Sequence, residues 1–178
     1  MASSFAIQAG RPAVRECRCA ADLADAVGGM YASGTEDAIL VWNLVPVRLS
    51  YRNDLAVLLD DLVPLLEEVG RPGFSDAQVF WGSDTFSAEW VIVREGDSLR
   101  IRACWHSTLG NYESLLAERG DVLVLTEEFI GEWAKLLRRI VTDVEAQCAE
   151  VEDSDLLGRA KALLARSSDI PAACAAPT

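Results

Sequence analysis

The chain has 178 residues, 51% hydrophobic and 25% charged, the balance of an ordinary globular domain with room for a full core. Its 28 acidic residues against 16 basic ones leave a net charge of −12, which argues against the basic surface that general nucleic-acid binding requires. No apolar run reaches the length of a membrane span, so neither nucleic acid nor membrane is an expected partner.

The amino-terminal stretch "MASSFAIQAGRPAVRE" lacks the basic start and long apolar run of a secretion signal, and a cytoplasmic location is expected. Residues 5 to 19 are mixed and hold at most a short strand. Cys17 and Cys19 in "CRC" are one residue too close for the usual zinc pair, and no matching pair occurs elsewhere. With a single histidine in the chain, no metal site and no cofactor are expected. The five cysteines, an odd number without a secretion signal, read as reduced thiols.

"AADLADAVGGMYASG" predicts a short helix with Leu23, Val27 and Met30 on one side and a weak end at Gly28-Gly29. "AILVWNLVPVRLSY", 38 to 51, reads as one strand region, with Pro46 marking a bulge or an edge. "NDLAVLLDDLVPLLEEVG", 53 to 70, predicts an amphipathic helix capped by Asn53 and stopped at Gly70. Its apolar stripe is Leu55, Leu58, Leu59, Leu62, Leu65, Leu66 and Val69. Asp54, Asp60, Asp61, Glu67 and Glu68 fall on the opposite, outer face. Pro64 shares that face and predicts a kink.

Three strands are expected at about 77–82, 87–95 and 98–106. Gly96-Asp97 fits a two-residue hairpin turn with glycine at its first central position. That turn sets the register: Glu95 opposite Ser98, Val93 opposite Arg100, Val91 opposite Arg102, Ile92 opposite Ile101 and Trp90 opposite Ala103. Glu89 then lies diagonal to Arg102, within reach of an ion pair. A short helix over 111–120 and a brief strand over 121–125 follow. "TEEFIGEWAKLLRRIVTDVEAQCAEV" predicts a long helix, capped by Thr126, that buries Phe129, Trp133, Leu136, Leu137, Ile140 and Val144. A last helix over 154–167 is capped by Ser154, and residues 168–178 read as a flexible tail. The sum is one α+β domain over 1–167, a small, mostly antiparallel sheet packed against two long amphipathic helices.

Few residues carry chemistry. In "CWHST" the strand alternation puts Cys104 and His106 on one face with Cα atoms roughly 6–7 Å apart, beyond the contact a thiol and its base need. The stretch reads as the end of a strand, unless Glu113 or Asp84 folds back to orient the imidazole. Adjacent helical carboxylates such as Asp60-Asp61 and Glu67-Glu68 diverge by about 100° and cannot act on one atom as acid and base. Their spacing of seven lines them along one face, as a solvated surface or as a stripe for a basic partner. No dinucleotide, phosphate-loop, nucleophile-elbow or zincin motif is present, and no catalytic residue is assigned. Trp81, beside the Gly-Ser-Asp-Thr turn that holds Asp84, reads either as a hairpin-end ring packed on the sheet or as partly exposed, a second place for a partner to anchor.

The order of a strand region, an acidic amphipathic helix, the "VIVREGDSLRIRA" hairpin and the "TEEFIGEWAKLLRRIVTDV" helix, over about residues 38 to 148, resembles small bacterial immunity proteins of polymorphic toxin systems. The resemblance implies a non-catalytic protein that neutralises a toxin by tight binding, often through acidic surface residues. The first expectation is therefore an acidic binding protein for a basic protein partner, with Asp54, Asp60, Asp61, Glu67, Glu68, Trp81 and Asp84 as its candidate contacts. The alternative is a small-molecule binding or enzyme domain with a Trp-lined pocket between sheet and helices, near Trp42 or Trp105. A third is a structural or oligomerisation module. The oligomeric state is left open.

Overall fold

The computed structural model describes residues 4–168. The fold is α+β, with two antiparallel sheets where one was expected. Strands β1 (Phe5–Gln8), β2 (Ala38–Trp42) and β3 (Val45–Leu49) form one in the order β1-β2-β3. Strands β4 (Asp76–Gly82), β5 (Phe86–Glu95), β6 (Ser98–Thr108) and β7 (Val122–Leu125) form the other in chain order. The helices are α1 (Leu23–Met30), α2 (Ala56–Val69), α3 (Glu113–Arg119), α4 (Thr126–Gln147) and α5 (Asp155–Ser168). No helix among the described residues is long and apolar enough to cross a membrane.

The extra sheet comes from residues 38–51, which are a hairpin and not one strand. Asn43 and Leu44 both take positive φ, 45° and 70°, and turn the chain between β2 and β3. Positive φ at both central residues is the turn whose twist matches a hairpin. It is held from outside, because Asn43 Nδ2 donates to the carbonyls of Arg119, Gly120 and Asp121 at 3.0, 3.2 and 3.1 Å. Beside it, Trp42 Nε1 donates to Gly120 O at 3.0 Å. Pro46 sits on β3, an edge strand of its sheet, where a missing N–H is tolerated.

The β5–β6 hairpin keeps the register its turn dictates, with all five predicted pairs in place and Gly96 at φ 63°. Farther along, the register shifts at Ser87/Ala88, so His106 is the extra residue of a bulge and β6 continues to Thr108. The Glu89–Arg102 pair does not form. Glu89 instead accepts from Gln78 Nε2, and Arg102 stands 3.7 Å from Asp121.

The two sheets meet through aromatic rings. Trp42 lies 5.3 Å from Trp90 and 5.0 Å from Trp105, centroid to centroid, and Phe5 bridges Trp90 to Phe129 and Trp133 of α4. The predicted stripe of α4 is buried in full. Thr126, however, is the first helical residue and not its cap, and its buried hydroxyl has no hydrogen-bond partner.

Helix α2 also starts differently. A π-helical turn over Tyr51–Leu55 precedes it, so Asn53 is not the cap: the Ser50 hydroxyl accepts from Asn53 N–H at 3.3 Å. Helix α2 then runs without interruption through Pro64, and its stripe is buried as predicted. Arg94 of β5 donates to Val69 O at 2.9 Å and satisfies a carbonyl at its end. Helix α5 buries Leu157, Ala160 and Leu163. The tail expected from 168 lies outside the described residues except for Ser168, which closes α5.

Candidate functional site

The seven candidate contacts do not form one surface, and three of them leave the exposed set. Asp54 has no exposed surface. The π turn adds a residue to the first winding and rotates Asp54 inward, where its carboxylate accepts from Ser50 N–H at 2.7 Å. It also accepts from Ser83 Oγ, and from Thr85 Oγ1 at 2.7 Å. Asp54 thus locks the start of α2 to the β4–β5 loop and is closed to a partner.

Trp81 is the second correction. It is 1% exposed, because the alternation of β4 turns it to the inner face, where its ring packs against Trp90 at 5.3 Å and Trp133 at 6.2 Å. The indole N–H groups of Trp81, Trp90 and Trp133 are buried without an acceptor. Rings fill the region where a Trp-lined pocket was expected: Trp42, Trp81 and Trp90 are essentially unexposed and packed on one another.

Glu67 is the third. Arg159 of α5 grips it with two bonds, Nε at 3.2 Å and Nη2 at 2.7 Å, clasping α5 onto α2. The hydrogen bond from Arg159 holds the Glu67 carboxyl below its ordinary range. Paired in this seam, Glu67 has no free charge to offer.

Asp60, Asp61, Glu68 and Asp84 do reach the surface. Asp60 stands with Asp22, Asp153 and Asp155 around a concavity of about 240 Å³ between α1, α2 and the start of α5. Asp22 and Asp153 are tied into the backbone, as acceptors from Asp25 N–H at 2.8 Å and Asp155 N–H at 3.1 Å. Desolvation, then the charges of Asp22 and Asp61, push the Asp60 carboxyl above its usual value. The cation lining this concavity, Arg159, is already bound to Glu67 and lies 3.8 Å from Asp155. The acidic stripe of one helix is thus replaced by an acidic cluster drawn from three. Asp22, Asp153 and Asp155 escape a reading by helical periodicity because they precede or open their helices.

Cys104 and His106 are exposed on the outer face of the four-stranded sheet. The imidazole faces Phe80, centroids 6.1 Å apart. Glu113 does not orient it, since its carboxylate accepts from Thr108 N–H and from Thr108 Oγ1 at 2.9 Å. The outer face also exposes Phe80, Val91, Val93, Leu123 and Leu125 beside Arg100 and Arg102.

Comparisons with protein-family models, curated proteins and solved structures each found no match.

Proposed function

We propose that this chain is a non-catalytic protein-binding domain that receives a basic protein partner on its acidic surface, the role implied by its resemblance to immunity proteins of polymorphic toxin systems. One observation carries the reading: Asp22, Asp60, Asp153 and Asp155 converge on one concavity whose lining cation is already engaged, with Asp61 beside them. Like charges held together raise the free energy of the unbound protein. A partner's lysine or arginine side chains relieve that repulsion on contact. Before contact, the same field steers a basic protein inward, and salt screens it over about 8–10 Å.

The test begins with affinity capture from the native host, followed by association kinetics of any captured basic protein in a salt series. Asp60→Asn, Asp61→Asn, Asp153→Asn and Asp155→Asn combined should slow association at low salt by roughly tenfold or more and flatten its salt dependence. Equal rates and slopes for the two proteins overturn the reading. Association that survives this change but is lost with Phe80→Asp moves the interface to the outer sheet face and also overturns it. Failure to capture any basic protein counts against the reading as well.

A further inference from the structure

Cys17 and Cys148 lie far apart in the chain and directly opposite each other in the fold. Cys17 belongs to the extended segment between β1 and α1, and Cys148 follows the last residue of α4. The two form a parallel β-bridge: Cys17 N–H donates to Gln147 O at 3.0 Å, and Ala149 N–H donates to Cys17 O at 3.1 Å. A second parallel bridge, Ala20 with Val151, continues the ribbon through Ala20 N–H to Glu150 O at 3.0 Å and Glu152 N–H to Ala20 O at 2.9 Å. Residues paired across neighbouring strands project to the same side, and the strands lie about 4.7–4.9 Å apart. A disulfide requires Cα atoms roughly 4.4–6.8 Å apart.

We propose that Cys17 and Cys148 are an oxidation site, at which a low-molecular-weight disulfide converts the two thiols into a bond that staples the amino-terminal segment to the end of α4. The ribbon is only two bridges long. The slight approach of the Cβ atoms that the bond needs, to roughly 3.5–4.5 Å, therefore disturbs no extended ladder. Both thiols are partly buried against the core, whereas Cys104 stands exposed on the outer sheet face, away from this ribbon. Cys17 Sγ donates to Cys19 O at 3.7 Å, and the exposed Cys19 donates to Glu152 Oε1 at 3.6 Å.

The chemistry is a two-step exchange. Burial and the hydrogen bond with Cys17 push the Cys148 thiol up to about 12. The Cys17 thiolate attacks one sulfur of the small disulfide RSSR, forms a mixed disulfide and releases one thiol, RSH. The Cys148 sulfur then attacks the Cys17 sulfur and expels the second RSH. The two protein thiol protons end on the two RSH molecules, the protein thiols are oxidised and RSSR is reduced. Proximity compensates for the low thiolate fraction of Cys148 in the second step. The bond closes a loop that spans most of the chain, the case in which a cross-link restricts the unfolded state most. The ribbon leads straight to Asp22 and Asp153, through Asp153 N–H donating to Ala21 O at 2.8 Å, so the staple also fixes one side of the acidic cluster.

The experiment incubates the full chain with oxidised glutathione, quenches with acid and maps peptides by mass spectrometry without reduction. The expected product links the Cys17 and Cys148 peptides, has lost two hydrogens and retains no glutathione at either position. Its Tm should rise by roughly 5–15 °C and return on reduction. Cys148→Ser should remove both the link and the rise, while Cys104→Ser and Cys19→Ser keep both. The wild-type peptide map stands even if Cys148→Ser folds poorly. A link from Cys17 to Cys19, any link through Cys174, glutathione adducts alone, thiols that stay reduced, or the expected bond with a lowered Tm would each overturn the proposal.

Discussion

A carboxylate with no exposed surface persists only if its oxygens have hydrogen-bond donors, and Asp54 finds them in two separate segments. With Ser50 it makes a reciprocal pair at the helix start: the Ser50 hydroxyl accepts from Asn53 N–H while Asp54 accepts from Ser50 N–H. This is a capping box stretched by one residue, because Leu55 N–H reaches back to Ser50 O at 2.9 Å in a π winding. Ser83 and Thr85 complete the set from the β4–β5 loop. Asp54→Ala leaves these donors unpaired and should lower stability by roughly 2–5 kcal/mol. Urea unfolding at neutral pH measures the loss, and a change under about 0.5 kcal/mol would mean that the donors find water instead. Thr85→Val should weaken the same lock by a smaller amount.

Among the elements, the β2–β3 hairpin carries local strain with a clear purpose. Leu44 is 64% exposed and held at φ 70°, so its side chain gains little from burial and takes a conformation disfavoured for a branched residue. Asn43 cannot be exchanged so freely, since its amide bonds the carbonyl of the last α3 residue and the two that follow it. Leu44→Gly should therefore raise stability by roughly 0.5–1 kcal/mol, whereas Asn43→Gly should lower it despite having the same conformational freedom. Thermal unfolding of the two variants separates turn strain from the hydrogen bonds. A loss of stability for Leu44→Gly would show that the exposed leucine packs more than its surface suggests.

At the scale of the molecule, net charge −12 is divided between carboxylates the fold stabilises and carboxylates it strains. Glu67 belongs to the first kind: Arg159 holds its carboxyl low. Its contribution is full above the unfolded value of about 4.3 and is lost as pH falls through the lower folded value. Asp60 belongs to the second kind, with its carboxyl raised by desolvation and by Asp22 and Asp61. Its ionisation costs stability at neutral pH, and the cost disappears as pH falls through the raised value and below the unfolded one. Glu67→Gln should therefore destabilise at pH 7, and Asp60→Asn should stabilise, each by well under about 1 kcal/mol because water still screens the half-buried Glu67 and the exposed Asp60. Both differences should shrink by pH 3, below the unfolded carboxylate values of about 3.9 and 4.3, with that of Glu67 going last because its folded value lies lower. Unfolding curves at the two pH values check the signs. Stabilisation by Asp60→Asn, paired with slower partner association, is the signature of a charge kept for binding at the expense of the free fold.

Elements specified by their own residues were legible in the chain. The stripes of α2 and α4 follow from helical periodicity, and the β5–β6 register follows from a two-residue turn whose glycine takes the positive φ it requires. The β2–β3 turn was hidden because Asn43 is a single polar residue in an apolar run that resumes at once with Leu44, and its positive φ angles are held by carbonyls some 75 residues away. The candidate site depended still more on distant contacts. Acidic character and amphipathic pattern are properties of composition and short spacing, so the chain by itself determined them. Whether a carboxylate stays free is set by what packs beside it: Asp54 meets the β4–β5 loop, Glu67 meets Arg159 of α5, and Asp60 meets Asp22 and Asp61. Only the tertiary structure decided which charges were buried, paired or left to repel, because desolvation and ion pairing act between segments that the chain order keeps apart.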